Sequence, residues 1–289
     1  MTRVLLTGAN GQLGWELQQS KPGSIDLFPL SRTDLDISDA TAVAAKVAEI
    51  APDWIINAAA YTAVDKAETD VDSADAINHA GARNLAEAAV HSGARIAHIS
   101  TDFIFDGLKS RPYQPDDAPN PTGVYGATKL KGEEAVREVT EGRALIIRTA
   151  WVYSAHGNNF VKTMLRLMND RDQLGVIEDQ VGTPSWAAEL ARVTYMAIDK
   201  SLEGTYHWTD TGVASWYDFA QSIYEVGRSL GLIDQEVMVN PITTEDYPTP
   251  AARPSYSVLS KDSMRQAIGY TGIHWRAALT QMLKEIKNG

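Results

Sequence analysis

The sequence predicts an α/β protein: a doubly wound parallel sheet covered on both faces by helices, with a smaller C-terminal α/β part. Three observations carry that expectation. Short, unbroken runs of Val, Ile and Leu recur through the first half of the chain, helical patterns separate them, and the first run ends in a glycine-rich turn. A strand buried on both faces has no polar side to present, so it reads as continuous apolar sequence instead of an alternation. Strands that alternate with helices need crossovers, which make the sheet parallel.

Taken in order, residues 3–7, 25–30, 54–57, 95–101 and 144–152 read as strands. Helical patterns fill the intervals at about 11–20, 40–51, 72–92 and 124–139. The second half is less regular, with helical patterns near 159–169, 186–200, 215–230 and 275–287 and short strands near 173–178 and 204–209. Ser215 followed by Asp218 has the spacing of a capping box, in which each side chain satisfies the other residue's backbone N–H. Two irregular stretches, 112–121 and 241–254, carry four prolines each and suit lids or binding loops. The expected division is a dinucleotide-binding part over 1–153, completed by about 178–200, and a substrate-binding part formed by 154–177 and 201–289.

Composition narrows the function. With 289 residues, 44% hydrophobic and 22% charged, the chain has ample material for a core. It contains no cysteine, which excludes disulfides, thiolate metal sites and cysteine nucleophiles. None of its six histidines pairs with another at helical ligand spacing. The first residues enter a strand directly, and no run approaches the roughly 18 apolar residues that cross a membrane, so a cytoplasmic protein is expected. The net charge of −11 argues against nucleic acid or an anionic membrane as a partner. A small phosphorylated ligand needs only local donors and stays open.

Such donors are present. Thr7-Gly8-Ala9-Asn10-Gly11-Gln12-Leu13-Gly14 sets Gly8, Gly11 and Gly14 three residues apart, between an apolar strand and an amphipathic helix. In that context glycine serves a tight turn, close approach of a pyrophosphate, and helix-on-sheet packing, which are the marks of a Rossmann-type dinucleotide site. The second strand ends at Ser31-Arg32, with Asp34 and Asp36 just beyond. An NAD site usually has an acidic residue at that end for the ribose 2′-hydroxyl; Arg32 suits a 2′-phosphate, so NADPH is expected over NADH.

Tyr125-Gly126-Ala127-Thr128-Lys129 places a phenol and an ammonium one helical turn apart on one face. A neighbouring ammonium is expected to lower the phenol's pKa from its ordinary value near 10. Lys129 can also hold the nicotinamide ribose. Ser100-Thr101-Asp102 supplies a hydroxyl at the carboxyl end of the fourth strand, where ligands of open α/β sheets bind.

With these motifs in view, the chain resembles the dTDP-4-dehydrorhamnose reductase family of the extended short-chain dehydrogenase/reductases over nearly its whole length. The resemblance rests on Thr7 to Gly14, the stretch Asn57 to Glu68, Ser100 to Gly107, and Tyr125 to Glu133. It continues through Arg148 to Tyr153, Gly157 to Phe160, Asp179 to Pro184 and Tyr247 to Pro254. It implies reduction of the C4 ketone of dTDP-4-dehydro-L-rhamnose to dTDP-L-rhamnose by NADPH or NADH, with Thr101, Tyr125 and Lys129 as the catalytic triad. It implies a cofactor held by Gly8, Asn10, Gly11, Gln12, Leu13, Gly14, Arg32, Asp36, Ile37, Ala58, Ala59 and Ala60 together with Tyr125 and Lys129. The sugar would meet Thr62, Val64, Thr101, Asp102, Tyr125 and Trp151, and the nucleotide diphosphate would meet Asn159 and Arg253. Phe103 departs from the family, which usually has tyrosine there. Some members hold magnesium at a dimer contact; the matching residues are Glu16 and Glu189, which by themselves read as helix-surface carboxylates.

Neighbouring activities fit less well. A sugar-nucleotide 4,6-dehydratase needs an Asp-Glu pair after the threonine, and here Asp102 is followed by Phe103. Epimerase-reductases of the fucose type use a cysteine, which this chain lacks. The alternative of a different class is a non-catalytic NADP-binding protein similar to the regulatory subunit of methionine adenosyltransferase. That subunit diverges at the segment where this chain reads Arg148-Thr149-Ala150-Trp151-Val152-Tyr153.

Overall fold

The computed structural model describes residues 1–289. The chain begins β1 (Thr2–Thr7), α1 (Gln12–Gln19), β2 (Ile25–Leu30), α2 (Ala40–Ile50), β3 (Trp54–Asn57), α3 (Val64–Ala67), α4 (Val71–Asp75), α5 (Gly81–Ser92), β4 (Arg95–Thr101), α6 (Val124–Val139) and β5 (Leu145–Thr149). It continues β6 (Val152–Tyr153), α7 (Phe160–Asp170), β7 (Gln173–Ile177), β8 (Val181–Gly182), β9 (Ser185–Trp186), α8 (Ala187–Asp199) and β10 (Gly204–His207). It closes with β11 (Ala214–Ser215), α9 (Trp216–Leu230), β12 (Met238–Ile242), α10 (Asp262–Ile268) and α11 (Trp275–Asn288).

Six parallel strands form the main sheet in the order β10-β5-β4-β3-β1-β2. From β1 the chain moves outward to β2, then returns past β1 to lay β3, β4 and β5 on the other side. That reversal opens a crevice at the carboxyl ends of β1 and β3, where Thr7 sits in register with Asn57. Continuous apolar sequence is explained by continuous burial: Val4, Leu5, Leu6, Ile55 and Ile56 are sealed from solvent. One face packs Leu13 and Leu17 of α1 against α8 and α10, and the other packs α2, α5 and α6 through Val43, Leu85 and Val136. A third core of 20 buried residues, from α7, α9 and α11 among others, belongs to the C-terminal lobe. The Ser215–Asp218 capping box opens α9 as expected.

Four expectations need correction. The strand read over 144–152 stops at Thr149, because Trp151 takes a left-handed backbone (φ 48°) and the chain turns to pair β6 with β9. The helix read over 72–92 contains a π-helical turn, Ala76–Ala80, between α4 and α5. The division at residue 200 is misplaced, since β10 forms the outer edge of the main sheet and α10 packs on α8 and β10. Finally, the second proline-rich stretch begins inside a strand, β12, which runs parallel to β7 with Pro241 opposite Val176. Met238 N–H donates to the Asp172 carbonyl, and the Ile242 carbonyl accepts from Glu178 N–H. The bonded positions are therefore the even ones, and Pro241 turns its missing donor away from the partner strand.

Candidate active site

The cradle for a dinucleotide forms where the glycine turn leaves β1. Gly8 adopts φ +74°, and a Cβ there would lie 2.7 Å from the Ala58 carbonyl carbon and oxygen. A Cβ on Gly14 would lie 2.1 Å from the Gly8 carbonyl oxygen. Gly8 thus allows the turn to touch the β3 end, and Gly14 allows α1 to touch the turn. Gly11 is the N-cap of α1 and places no side chain over the first-turn N–H groups, so these stay open to an anion. Underneath, Thr7 donates to Asn57 Oδ1 (2.9 Å), and the Asn57 amide meets His98 Nδ1 (3.0 Å), tying the ends of β1 and β3 to the middle of β4.

A cavity of about 530 Å³ opens from this cradle. Gly8, Asn10, Gly11, Gln12, Leu13, Arg32, Asp36, Ile37, Ala58, Ala59, Ala60, Thr62, Tyr125 and Lys129 line it, so of the expected cofactor residues only Gly14 stands behind the wall. Two acidic residues of the β2–α2 loop are engaged by neighbouring serines: Asp34 accepts from the Ser31 hydroxyl and N–H, and Asp36 from those of Ser38. Hydrogen bonds from Ser38 hold the Asp36 carboxyl below its ordinary range. Arg32 is exposed on the rim.

Tyr125 and Lys129 lie one turn apart at the start of α6. Glu68 accepts from the Val124 N–H (2.9 Å) and fixes where that helix begins. Gly126 lets the helix approach closely, since a Cβ there would fall 2.1 Å from the Phe103 carbonyl oxygen. The Phe103 ring meets Tyr125 edge-on, 5.5 Å between centroids, so the family's tyrosine is replaced here by a packing contact. Lys129 is buried and donates to the Ile99 carbonyl (2.7 Å). Burial lowers its pKa to about 8, partly offset by the Glu133 carboxylate. Burial raises the Tyr125 phenol to about 12; the Thr101 hydroxyl pulls it down and the Asp102 carboxyl pushes it up. The expected lowering by Lys129 is not found, because burial dominates. A phenol so placed keeps its proton at neutral pH, the state a general acid needs.

Thr101 ends β4, donates to Asp102 Oδ1 (3.0 Å) and accepts from the Phe103 N–H (3.2 Å). Asn78, on the π-helical turn, is a residue that sequence reasoning missed. Its side chain accepts from Tyr61 N–H (2.9 Å) and donates to the Tyr61 carbonyl and the Thr128 hydroxyl (both 3.2 Å). It clamps the Ala58–Thr62 segment to the helix that carries Tyr125 and Lys129. No motif announced it. The buried pair of Arg148 with Glu133 (2.7 Å) was missed as well, and it braces α6 against β5 one turn below Lys129.

The residues expected around the sugar and diphosphate are largely engaged with the protein itself. Trp151 stacks on Trp216 (3.6 Å between centroids, 11° between planes), over Gly182, where a Cβ would meet the indole at 2.7 Å. Arg253 forms a bidentate pair with Asp65 (both contacts 2.8 Å) and also donates to Thr249 and the Ala251 carbonyl. That pairing holds the Asp65 carboxyl below its ordinary range. Val64, at the start of α3, is half-buried beside it. Asn159 caps α7 through Lys162 N–H, and its amide donates to Gln12 Oε1 (2.9 Å) and the Ser154 carbonyl (2.7 Å), leaving no donor for a phosphate. Glu16 and Glu189 are not surface carboxylates: they are 4% and 6% exposed and accept from Ser154 and Tyr270 (both 2.6 Å). Neither belongs to a group of three or more side chains able to hold a metal. No helix of the protein is long and apolar enough to cross a membrane.

The family model described as the RmlD substrate binding domain matches residues 1–288. The chain belongs to this family. Among RmlD-type relatives, a dTDP-4-dehydrorhamnose reductase of Aggregatibacter actinomycetemcomitans is 41% identical, with 96% of this chain and 97% of the relative covered. A crystal structure of a dTDP-4-dehydrorhamnose reductase from Clostridium acetobutylicum superposes with a TM-score of 0.93 at 44% identity, covering 99% of both chains. That of the Bacillus anthracis enzyme in complex with NADP gives 0.93 at 40% identity, covering 98% of this chain and 99% of the other.

Proposed function

We infer that this protein reduces the C4 ketone of dTDP-4-dehydro-L-rhamnose to dTDP-L-rhamnose with NADPH or NADH, a step of dTDP-rhamnose biosynthesis. One observation carries the reading. The dinucleotide cradle and the Tyr125–Lys129 pair line a single cavity, in a chain that matches proteins named for this reaction from end to end.

The residues present fit the cofactor. The Gly8–Gly14 turn and the open first turn of α1 would receive its pyrophosphate, and Ala58 to Ala60 would face the ribose and adenine side. Arg32 would meet a 2′-phosphate; with Asp34 and Asp36 turned toward their own serines, NADPH is favoured over NADH. NADPH, when bound, supplies the hydride.

The rest of the chemistry belongs to the chain. Thr101 donates a hydrogen bond to the ketone oxygen and holds it beside Tyr125. The phenol then gives its proton to that oxygen as negative charge develops, a contribution of about 10²–10⁴-fold for a well-placed acid. Lys129 holds the ribose hydroxyls from the floor of the cavity. On the sugar side, Thr62, Val64 and Trp151 offer surface for a deoxy sugar, and Arg253 is the cation for the diphosphate, which it reaches by exchanging Asp65 for phosphate.

The deciding experiment is NADPH oxidation with dTDP-4-dehydro-L-rhamnose and, in parallel, with the free 4-keto sugar. Turnover confined to the nucleotide-linked sugar is expected. Equal rates on both would reduce the assignment to a carbonyl reductase of another specificity.

A further inference from the structure

We propose that Asp102 works as a neutral carboxylic acid whose hydrogen bond to Thr101 turns the threonine hydroxyl toward the substrate oxygen, making Asp102 a positioning residue for ketone reduction. The inference rests on the reduction proposed above and adds to it a required protonation state. It begins with a count of protons. Thr101 has one hydroxyl proton and two lone pairs. In the structure that proton goes to Asp102 Oδ1, and one lone pair takes the Phe103 N–H. An ionised carboxylate can only accept, so while Asp102 is charged Thr101 has nothing left to donate to a ketone. Once Asp102 is protonated, its O–H donates to Thr101, the two lone pairs take Asp102 and Phe103, and the threonine proton is released toward the substrate.

The surroundings favour that neutral form. Asp102 is 2% exposed, and its second oxygen, Oδ2, is buried without a hydrogen-bond partner. The groups that face it are Thr101 and Phe103 from its own turn, Tyr125 from α6, and Ser257 from the segment that leads to α10. Tyr125 is the titratable one among them, and the largest influences on the acidity of Asp102 include no lysine or arginine. A buried carboxyl with no cation takes up a proton instead of staying charged. Burial raises this one to about 6, with Ser257 and Thr101 offsetting part of the effect. A substrate that covers the site removes more water and drives it further the same way. Neutral Asp102 also removes the charge that makes the Tyr125 phenol reluctant to give up its proton.

The test compares kcat/KM against pH for the wild type and Asp102→Asn, between about pH 5.5 and 9. An asparagine amide always has an N–H for Thr101, so it fixes the arrangement the acid provides only when protonated. The wild type should lose at least tenfold between pH 6 and 8.5, while the variant loses less than threefold over the same interval, whatever its absolute rate. Matching basic limbs in the two proteins would overturn the proposal. A second measurement needs no turnover: carboxyl ¹³C NMR of the wild type with NADPH bound, beside Thr101→Val. An aspartate resonance that titrates above pH 5.5 and moves in the Thr101 variant is expected; its absence defeats the proposal even if Asp102→Asn fails to fold. A wild type that never oxidises NADPH with the nucleotide-linked keto sugar defeats the reduction itself, a separate outcome.

Discussion

The two sides of the cleft hold their ligand groups in different states. On the dinucleotide side the donors are backbone N–H groups at the start of α1, the space is kept clear by Gly8 and Gly14, and Arg32 stands free on the rim. On the sugar side three groups already have partners inside the protein: Arg253 has Asp65, Asn159 has Gln12 and Ser154, and Trp151 has Trp216. A preformed cradle gives up little when a ligand enters, whereas a self-paired site must break contacts before making new ones. On the proposed assignment, cofactor affinity would be built into the backbone, and substrate selectivity into exchangeable side-chain pairs.

That contrast can be broken or sharpened by substitution. The largest effect is expected where the two sides meet. Tyr125→Phe should lower kcat by about two orders of magnitude or more, since it removes the proton donor. Its dissociation constant for NADPH, measured by fluorescence titration, should hardly move, because the ribose contact falls mainly to Lys129. Near-normal turnover would remove Tyr125 from the role of acid.

Next comes the rim of the preformed side. Arg32→Ala should weaken NADPH by about 1.5–3 kcal/mol, or roughly 10–150-fold, as a charge-assisted contact is lost. NADH binding should stay within about a factor of two. Equal losses for both cofactors would assign Arg32 to the loop and not to the 2′-phosphate.

The smallest effect is the most telling about the self-paired side. Arg253→Ala should raise KM for the nucleotide-linked sugar about tenfold, or 1.4 kcal/mol, with NADPH binding unchanged. Asp65→Asn weakens the competing partner, so KM should fall or hold steady. If both substitutions raise KM alike, the Arg253–Asp65 pair is a brace, and the diphosphate is held elsewhere.

The legible parts of the sequence were those governed by local rules. Buried parallel strands, the glycine turn, the Tyr125–Lys129 spacing and the Ser215–Asp218 cap each follow from a few adjacent residues, and apart from the end of β5 all appear where expected. The misses share a different cause, which is that distant contacts decide them. Trp151 leaves the strand because its ring packs over Gly182 and on Trp216, both far along the chain. Asn78 acquires its clamp only after a π-helical turn aims it at Tyr61 and Thr128. Glu16 looked like a surface carboxylate until Ser154 arrived to cover it. The direction of the Tyr125 shift was misjudged for the same reason, since spacing places Lys129 nearby but says nothing of the burial that raises the phenol.

The position of β10 has a consequence for how the protein is made. During synthesis β1 to β5 emerge first, yet the strand that covers the outer edge of β5 begins only at Gly204, after α7, β7 and α8 have been laid down. The helix that seals the same end, α10, comes later still. The chain thus leaves the sheet and returns to it twice, so the two lobes are laced and neither can be completed before the other has begun. A fragment ending at residue 153 would expose the unpaired edge of β5 and the apolar face meant for α8 and α10, the two features that most readily recruit a second unfinished chain.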